Sequence, residues 1–590
     1  MITVQNHTIR VETKTQTACF EKGFLTSLRA KATGEEFLPQ AHAQGSALQL
    51  CYGPQGAVDV IGSLASTVST HPLSPRAAQF RFSGWDADGV LTISEDPNTG
   101  DVLVEPSAYS SRPGVLSCRW RVRGFDPRLD LVAPFFQGVR LKPTDPLLQR
   151  RWFWPQFWEA GLAILQGPDS GFWIHCQDDR YRYKALHIAE GELGFETEAY
   201  GPIDGSLGAG GLVWRLNVYQ GDWRVPASRY RDWLWRAYAL HLEEERRKPW
   251  ARDIRLALSW YRGDLDLLDA LARRIDPHKV LIHFSQWRTD NYDENYPSYV
   301  PSQHACEVFA KANAMGFHVM PHCNSVDMDP THPAYHYLRD FQYRDVQTKR
   351  LLGWAWDSAT GRALGVPNAY HSLTENRHRK VMVKIHPALA MWRSVLAENI
   401  RGAVEAVGTD AVFIDVTLCS HNLHNCLVEN TTPTEGMKRL IHQIGELGEG
   451  LAVGGEGLNE ITFQGLSFAQ AHLFLSWHDT VEGLERTGGC PLNYFLFGRL
   501  CRTFGYSRLS GKSETEALRM RVHASLGAIP TVTVHSADEI DTPNDAVLPP
   551  LERAINTLVI VFSSAALLAA DSEKSERRAW RLSSLLILLI

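Results

Sequence analysis

The sequence has no long hydrophobic run and no large excess of charge of either sign. Its longest apolar stretch, Leu558 to Ala570, is shorter than the roughly 20 residues that a transmembrane helix needs. Lys and Arg together number 60 and Asp and Glu together number 66, for a formal net charge of −6. Such a balance offers no broad basic surface for nucleic acid or anionic lipid. We therefore expect neither a membrane nor a nucleic acid among the partners.

Several familiar signatures are also missing. The ten cysteines include no CxxC pair, which favours reduced thiols over a disulfide framework or a zinc site. No secretory signal opens the chain, so we expect a cytoplasmic protein. The sequence lacks Gly-x-Ser-x-Gly, a Walker A loop and the kinase motifs, which disfavours esterase and phosphoryl-transfer activities. No GxGxxG follows an early strand, which weakens a doubly wound open sheet as the alternative to a barrel. We also expect no redox or nucleotide cofactor.

Residues 1 to about 220 have the pattern of an all-β domain. Short runs that alternate apolar and polar residues, such as Val102–Pro106 and Leu116–Val122, are separated by turn sequences such as Pro97-Asn-Thr-Gly100. Regular short strands joined by such turns are typical of an antiparallel sandwich. The sequence therefore predicts a β-sandwich domain over residues 1–220.

The pattern changes at Gly221-Asp-Trp223. Between residues 224 and 245 the apolar residues recur at near-helical spacing, which predicts a linker helix within residues 221–250. Apolar strand runs then alternate with amphipathic helices over about 290 residues, the usual size of a (β/α)₈ barrel. We predict a TIM-type (β/α)₈ barrel over residues 251–545 with an insertion at 325–379. We expect the C-terminal tail, 546–590, to stop short of a further strand-rich segment.

Individual barrel strands can be placed from their apolar runs. The first five are Ile254–Trp260, Val280–Trp287, Phe317–His322, Ala411–Val416 and Gly450–Glu456. The later candidates are Ala471–Trp477, Tyr494–Phe497 and Ala528–Val534.

Two carboxylic acids follow consecutive strand runs of the predicted barrel. Asp415 follows Val412–Ile414, and Glu456 follows Ala452–Gly455. Active sites of such barrels lie at the carboxyl ends of the strands, so both acids would project into one cleft. Glycoside hydrolysis needs such a pair, one ionised and one protonated. The shorter Asp415 suits the nucleophile, and Glu456, in a glycine-rich turn, suits the acid/base. The alternative is that both acids only cap strand ends.

Other polar and aromatic residues fall near the ends of predicted strands and could bind a sugar. Aromatic rings pack on the C–H faces of sugars, and a small number of polar groups can fix the hydroxyls. The candidates are Trp260, Gln286, Trp287, His322, Asn324, Trp477, His478 and Asp479. For each of them, packing or structural hydrogen bonding is the alternative.

The segment from Ser325 to about Arg379 is too long for an ordinary loop between a strand and a helix. It is rich in Tyr, Phe and Trp. Inserted at the catalytic face, it could cover the cleft as a lid. The alternative is a subdomain that only packs on the barrel.

Histidine pairs raise the possibility of a metal-dependent hydrolase. His318 and His322 would share a strand face but lie about 13 Å apart at ~3.3 Å per residue. The sequence has no HExxH, and Cys419-x₆-Cys426 is not a common zinc spacing. We therefore expect no metal at the site. The other pairs considered are His332 with His336, and His421 with His424.

Four features together resemble a known group of proteins. They are the N-terminal sandwich, the helix after Gly221-Asp-Trp223, the strand end Phe413-Ile-Asp-Val416 and the turn Gly454-Gly-Glu-Gly-Leu-Asn-Glu460. They resemble a largely uncharacterised glycoside-hydrolase-like family, which is similar to the endo-α-N-acetylgalactosaminidase and α-N-acetylgalactosaminidase families. More distantly, it is similar to α-amylase-type and α-galactosidase-type barrels.

The resemblance covers about residues 1–540. It implies that Asp415 is the nucleophile and Glu456 the general acid/base of a retaining α-glycosidase. It also implies that a further β-sandwich usually follows the barrel.

The sequence thus predicts a retaining glycoside hydrolase that acts on α-linked sugars, with a carbohydrate as its partner and a role in carbohydrate metabolism. The alternative is a non-catalytic carbohydrate-binding or scaffold protein that has kept the barrel. The oligomeric state stays open.

Overall fold

The structure is a computed structural model that describes most of the first 556 residues. These are residues 1–45, 47–52, 59–62, 67–83, 87–199, 201, 203–346, 349, 351–355, 371–372, 381–418, 420, 422–448, 451–474, 488–506 and 508–556. Several residues named in the sequence analysis lie outside the described residues: Cys419, His421, Trp477, His478 and Asp479. Part of the insertion and the tail from residue 557 onward also lie outside them.

The N-terminal part consists of antiparallel sheets, as the alternating sequence pattern predicts. Four strands form the sheet β1-β2-β3-β4, ten form a sheet in the order β13-β12-β15-β16-β20-β10-β9-β8-β7 with β19 beside β10, and six form β14-β17-β18-β11-β5-β6. The strands are β1 (Ile2–Gln5), β2 (Thr8–Glu12), β3 (Gln16–Glu21), β4 (Phe24–Ala30), β5 (Leu48–Tyr52), β6 (Asp59–Gly62), β7 (Thr67–Ser74), β8 (Ala77–Ser83), β9 (Ala87–Glu95), β10 (Val102–Ser110), β11 (Val115–Val122), β12 (Asp130–Ala133), β13 (Val139–Leu141), β14 (Arg151–Phe153), β15 (Leu162–Gln166), β16 (Ser170–Cys176), β17 (Lys184–Ala189), β18 (Glu192–Glu198), β19 (Gly208–Gly210) and β20 (Trp214–Gln220).

The two larger sheets pack face to face as a sandwich. The ring of Phe195 on β18 lies 5.1 Å from that of Trp214 on β20, across the two layers. Alternate residues of β9 and β10 are buried, as a half-buried antiparallel sheet requires. Asp96 begins their connecting turn by accepting the backbone N–H of Asn98. Gly100 ends the turn at φ +80°, a conformation that favours glycine.

Three short helices, rather than one, connect the sandwich to the barrel. They are α1 (Arg224–Ala237), α2 (Leu240–Arg246) and α3 (Trp250–Asp253). Ala239 separates the first two because it adopts a left-handed conformation, with φ +50°.

The second half of the chain forms an eight-stranded parallel barrel, which confirms the predicted fold class. The strand order is β31-β30-β29-β28-β23-β22-β21-β32, and a parallel bridge from Phe504 to Ile529 brings the two edges together. Alternating inward residues, including Met320, Phe413 and Phe468, form a compact interior. The barrel strands are β21 (Leu256–Tyr261), β22 (Val280–Phe284), β23 (His318–Asn324), β28 (Ala411–Asp415), β29 (Ala452–Glu456), β30 (Phe468–Ala471), β31 (Arg502–Gly505) and β32 (Thr531–Val532).

Helices cover the outside of the barrel, where their apolar faces pack on the strands. They are α4 (Leu265–Arg274), α5 (Gln303–Met315), α6 (Tyr335–Leu338), α7 (Ala390–Val407), α8 (Pro433–Gly445), α9 (Leu492–Phe497), α10 (Glu514–Ser525), α11 (Asp538–Asp541) and α12 (Leu548–Asn556). Short 3₁₀ turns occur at Pro146–Leu148, Ile203–Gly205, Pro277–Lys279, Arg339–Phe341 and Thr462–Gln464.

The described part of the insertion after β23 forms a small antiparallel sheet in the order β24-β27-β25-β26. Its strands are β24 (Asp327–Met328), β25 (Leu352–Ala355), β26 (His371–Ser372) and β27 (Val381–Lys384). Met328 and Leu338 are fully buried and belong to the same core as the barrel. This part of the insertion therefore packs on the barrel.

Two of the later strand predictions are wrong. Tyr494–Phe497 lies in helix α9, because a short apolar run cannot be distinguished from a buried helical segment by its periodicity. The sixth strand is β30 and ends at Ala471, where the predicted sixth strand begins. Strand β30 is difficult to recognise from the sequence because it contains an inward-facing polar residue, Gln470, and two small alanines instead of an apolar run.

The cysteines in the described part of the chain are free thiols. None of the helices in the described ranges has both the length and the apolar character that crossing a bilayer requires.

Candidate active site

Asp415 and Glu456 lie side by side at the carboxyl end of the barrel. Ile414 on β28 pairs with Gly455 on β29, so the two acids are the next residue on each strand. The backbone N–H of Val416 donates to Oε2 of Glu456 at 3.2 Å. This bond ties the Glu456 carboxylate to the strand that carries Asp415.

The backbone is strained at two positions beside this pair. Val416 has φ +63° and Trp260, at the end of β21, has φ +59°. A bulky or β-branched residue rarely adopts a left-handed conformation, and such strain costs about 1–3 kcal/mol. In both cases the unusual conformation directs the backbone N–H to a side chain of the site, Glu456 for Val416 and His283 for Trp260. Strain of this kind is characteristic of functional sites.

The surroundings of Asp415 favour its neutral form. Burial raises its pKa well above the ordinary value, and the carboxylates of Glu456, Asp293 and Asp327 raise it further. The backbone N–H of Val416 opposes this but is outweighed. Asp327 itself forms a buried ion pair of 2.7 Å with Lys384.

Glu456 has the opposite environment. Burial disfavours its charge, but the hydrogen bond from His472, the electrostatic attraction of His472 and Lys384, and the Val416 N–H together lower its pKa. Nε2 of His472 lies 3.0 Å from Oε1 of Glu456, and it must donate because an ionised carboxylate only accepts. Tyr506 makes a further side-chain hydrogen bond to Glu456. The two environments therefore favour the proton on Asp415 and the negative charge on Glu456.

Aromatic and imidazole rings surround the two carboxyl groups. Trp260 lies 5.7 Å from Tyr292, 5.8 Å from His322 and 6.1 Å from Tyr506 between ring centroids. His322 is 1% exposed, and its Nε2 lies 3.6 Å from Oδ2 of Asp415. Among the described residues, Nε1 of Trp260 and Nε2 of His322 find no hydrogen-bond partner although both atoms are buried.

The other sequence-predicted binding residues are placed differently. Gln286 is exposed beyond the end of β22. Trp287 is fully buried and donates its Nε1 to the backbone oxygen of His322, so its ring belongs to the core. The side chain of Asn324 accepts from the N–H groups of Val326 and Asp327 and donates to Oδ2 of Asp327. The side chains of Trp287 and Asn324 therefore make structural hydrogen bonds beside the site and do not line it.

Sequence reasoning missed His472 and Tyr506, both of which contact Glu456. His472 directly follows β30 and Tyr506 directly follows β31. Their rings contact each other at a tilt of 32°, with centroids 4.2 Å apart. Each could have been predicted from its position directly after a barrel strand. Neither was, because the sequence pattern placed the corresponding strands at Ala471–Trp477 and Tyr494–Phe497 instead.

His318 and His332, two of the histidines considered for a metal, make other contacts. His318 lies at the opposite end of β23, where it stacks on Trp250 and contacts Asp410. Nδ1 of His332 accepts from the N–H of Ala334. In the ranges that the structure describes, no group of three or more His, Cys, Asp or Glu side chains could hold a metal ion.

The fold of almost the whole chain is similar to that of solved structures. The chain has the fold of alpha-N-acetylgalactosaminidase NagBb from Bifidobacterium bifidum. The ligand-free structure of that protein superimposes with a TM-score of 0.62 at 14% identity, over 94% of this chain and 93% of that chain. Its quadruple mutant gives a TM-score of 0.65 at 11% identity, over 93% of both chains.

Sequence comparison is less informative. Residues 213–437 match the model of a family described as a domain of unknown function, DUF6259. No curated protein matches the sequence.

Proposed function

We propose that the protein is a glycoside hydrolase for α-linked sugars and that Asp415 and Glu456 are its catalytic carboxyl groups. The observation that carries the proposal is the placement of Asp415 and Glu456 on adjacent strand ends, in surroundings that raise the pKa of Asp415 and lower that of Glu456. Two carboxyl groups whose environments drive their pKa values apart are what acid/base glycoside hydrolysis requires.

The surroundings of the pair support a carbohydrate as substrate. The rings of Trp260, Tyr292 and Tyr506 offer apolar faces for sugar C–H groups. The buried donors at Nε1 of Trp260 and Nε2 of His322 could bond to hydroxyl oxygens. The likeness in fold to an α-N-acetylgalactosaminidase agrees with this substrate class.

We further propose a retaining mechanism in which Asp415 is the nucleophile and Glu456 the general acid/base. These roles need the proton on Glu456, whereas the surroundings in the free site favour the proton on Asp415. The two neighbouring carboxyl groups share one proton, and substrate binding would transfer it from Asp415 to Glu456. A sugar hydroxyl that donates to Asp415 would stabilise its ionised form, and a substrate that covers Glu456 would favour its neutral form.

Asp415→Asn and Glu456→Gln test the proposal directly. Each variant should lose at least about 100-fold in kcat on nitrophenyl α-glycosides, the scale of a lost acid/base group, and should keep the wild-type circular dichroism spectrum. Asp410→Asn, which lies at the other end of the same barrel region and is exposed, is the matched control. Near wild-type turnover by either site variant would contradict the assignment.

Azide separates the two roles. With Asp415→Ala, a glycosyl azide of inverted configuration would identify Asp415 as the nucleophile, because azide then takes the place of the missing carboxylate. With Glu456→Ala, azide should instead trap the glycosyl-enzyme and give an azide of retained configuration. The reverse pattern would exchange the roles. Sugar binding without turnover by the wild-type protein would favour the non-catalytic alternative.

A further inference from the structure

A line of hydrogen bonds runs from the backbone of β21 to the candidate site. The N–H of Trp260 donates to Nδ1 of His283 at 3.4 Å. Nε2 of His283 lies 3.0 Å from Nδ1 of His322. Nε2 of His322 then faces Oδ2 of Asp415 at 3.6 Å. His283 lies on β22 and His322 on β23, so three neighbouring strands build the line.

The order of donors and acceptors along this line is fixed at its first step. A backbone N–H can only donate, so Nδ1 of His283 must accept and carries no proton. Burial lowers the pKa of His283 to about 3 and, together with His283 and Arg288, lowers that of His322, so both rings are neutral near pH 7. The proton of His283 is therefore on Nε2, which donates to Nδ1 of His322. His322 must then carry its proton on Nε2, the atom that faces Asp415.

We propose that His283 is a positioning residue that fixes the tautomer of His322, so that His322 presents a permanent N–H donor to a substrate hydroxyl held against Asp415. This inference rests on the proposed function for the identity of the substrate. It explains the left-handed conformation of Trp260, which turns the backbone N–H toward His283 at the start of the line.

The geometry also indicates which substrate group fits. The 3.6 Å between Nε2 of His322 and Oδ2 of Asp415 is too long for a direct hydrogen bond. One oxygen atom can lie about 2.8 Å from both atoms, at the apex of a triangle. Nε2 is buried and has no partner among the described residues, so it is available for such an oxygen.

A group at this apex has to accept from His322 and donate to an ionised Asp415. A hydroxyl does both, whereas an amide nitrogen only donates and a carbonyl oxygen only accepts. The line therefore selects a sugar with a free hydroxyl at the position next to Asp415 and disfavours one with an acetamido group there. The unpartnered Nε1 of Trp260 is a second fixed donor close by.

The test compares two substitutions at His283. His283→Phe keeps the ring shape but removes the donor to His322. His283→Gln places an amide N–H near the position of Nε2 and should restore it. His175→Phe is the matched control, because His175 is also buried on a strand, and its ring nitrogens have no hydrogen-bond partner in the described part of the chain.

The first readout does not depend on activity. In protein labelled with ¹⁵N-histidine, His322 should show a protonated Nε2 in the wild type and in His283→Gln, and a different or mixed tautomer in His283→Phe. The resonances are assigned by their loss in His322→Gln. A wild-type His322 with its proton on Nδ1 would overturn the inference even if the protein proves to be a glycosidase.

The second readout is kinetic. Misplacing a substrate contact costs roughly 100-fold, so His283→Phe should lose about that factor in kcat/KM on the preferred α-glycoside. His283→Gln should recover most of it, and His175→Phe should match the wild type. The wild type should also prefer an α-glycoside with a free hydroxyl at C2, the carbon next to the one that Asp415 would attack, over its 2-acetamido counterpart. Equal loss in both His283 variants, or a preference for the acetamido sugar, would contradict the donor role.

Discussion

The hydrogen bond from His472 to Glu456 gives a quantitative prediction about the pH dependence of activity. His472→Phe keeps a ring that can contact Tyr506 but removes the donor to Oε1 of Glu456. Both side chains are about one-tenth exposed, 11% for His472 and 12% for Glu456, so solvent screens the bond little. A hydrogen bond to a charged group contributes about 1.5–3 kcal/mol, and one pKa unit corresponds to about 1.36 kcal/mol. The pKa of Glu456 should therefore rise in this variant.

The assay is the pH profile of kcat/KM, whose two limbs report the apparent pKa values of the carboxyl pair in the free enzyme. The active form carries one proton, so the acidic limb follows the more acidic group, Glu456, and the alkaline limb follows Asp415. In His472→Phe the acidic limb should move up by about one pH unit or more, while the alkaline limb stays in place. The bell-shaped pH profile of kcat/KM should therefore become narrower, because its acidic limb moves toward its alkaline limb.

His472→Gln is the control because its amide nitrogen can still donate to the carboxylate, so its acidic limb should lie close to that of the wild type. Thermal unfolding monitors the fold of both variants. An acidic limb that does not move in His472→Phe, or that moves to lower pH, would refute the assignment of Glu456 as the ionised member of the pair.

Three further predictions concern stability and cofactors. The pKa of Asp415 is raised by folding, so this group destabilises the fold at every pH above its pKa in the unfolded chain, and the penalty disappears as the pH falls below that value. Asp415→Asn should therefore raise the free energy of unfolding at pH 7 by about 1 kcal/mol, as measured in urea. Asp88→Asn, at an exposed position of β9, is the control, and a drop in stability of Asp415→Asn would contradict this account. Glu460 accepts hydrogen bonds from Trp154, Gly161 and Tyr230 and so joins the barrel to the sandwich. Glu460→Leu leaves these buried donors unpaired and should cost at least about 3 kcal/mol; a loss below about 1 kcal/mol would show that the donors find other partners. Finally, dialysis against a chelator should leave kcat unchanged, and loss of activity that zinc restores would revive the metal-dependent alternative.

The sequence by itself determined the architecture and one pair of residues. Alternation at a period of two defines the sandwich strands, and the change to strand–helix alternation marks the barrel, because these periods follow from which face of each element is buried. Asp415 and Glu456 could be found because each directly ends an apolar run, and parallel strands place their carboxyl ends at one rim. The Trp260 and His322 positions followed from the same rule.

Only the tertiary structure decided how these residues act. Strands β30 and β31 are short and carry polar or small residues, so the sequence did not place His472 and Tyr506 beside Glu456. The proton distribution in the pair depends on Asp293, Asp327 and Lys384, which lie on other segments of the chain. Likewise, the sequence does not encode the tautomer of His322 locally, since it is set by a backbone N–H two strands away. Charges and hydrogen bonds act through space over a few ångströms, and only the folded chain brings these groups within that range.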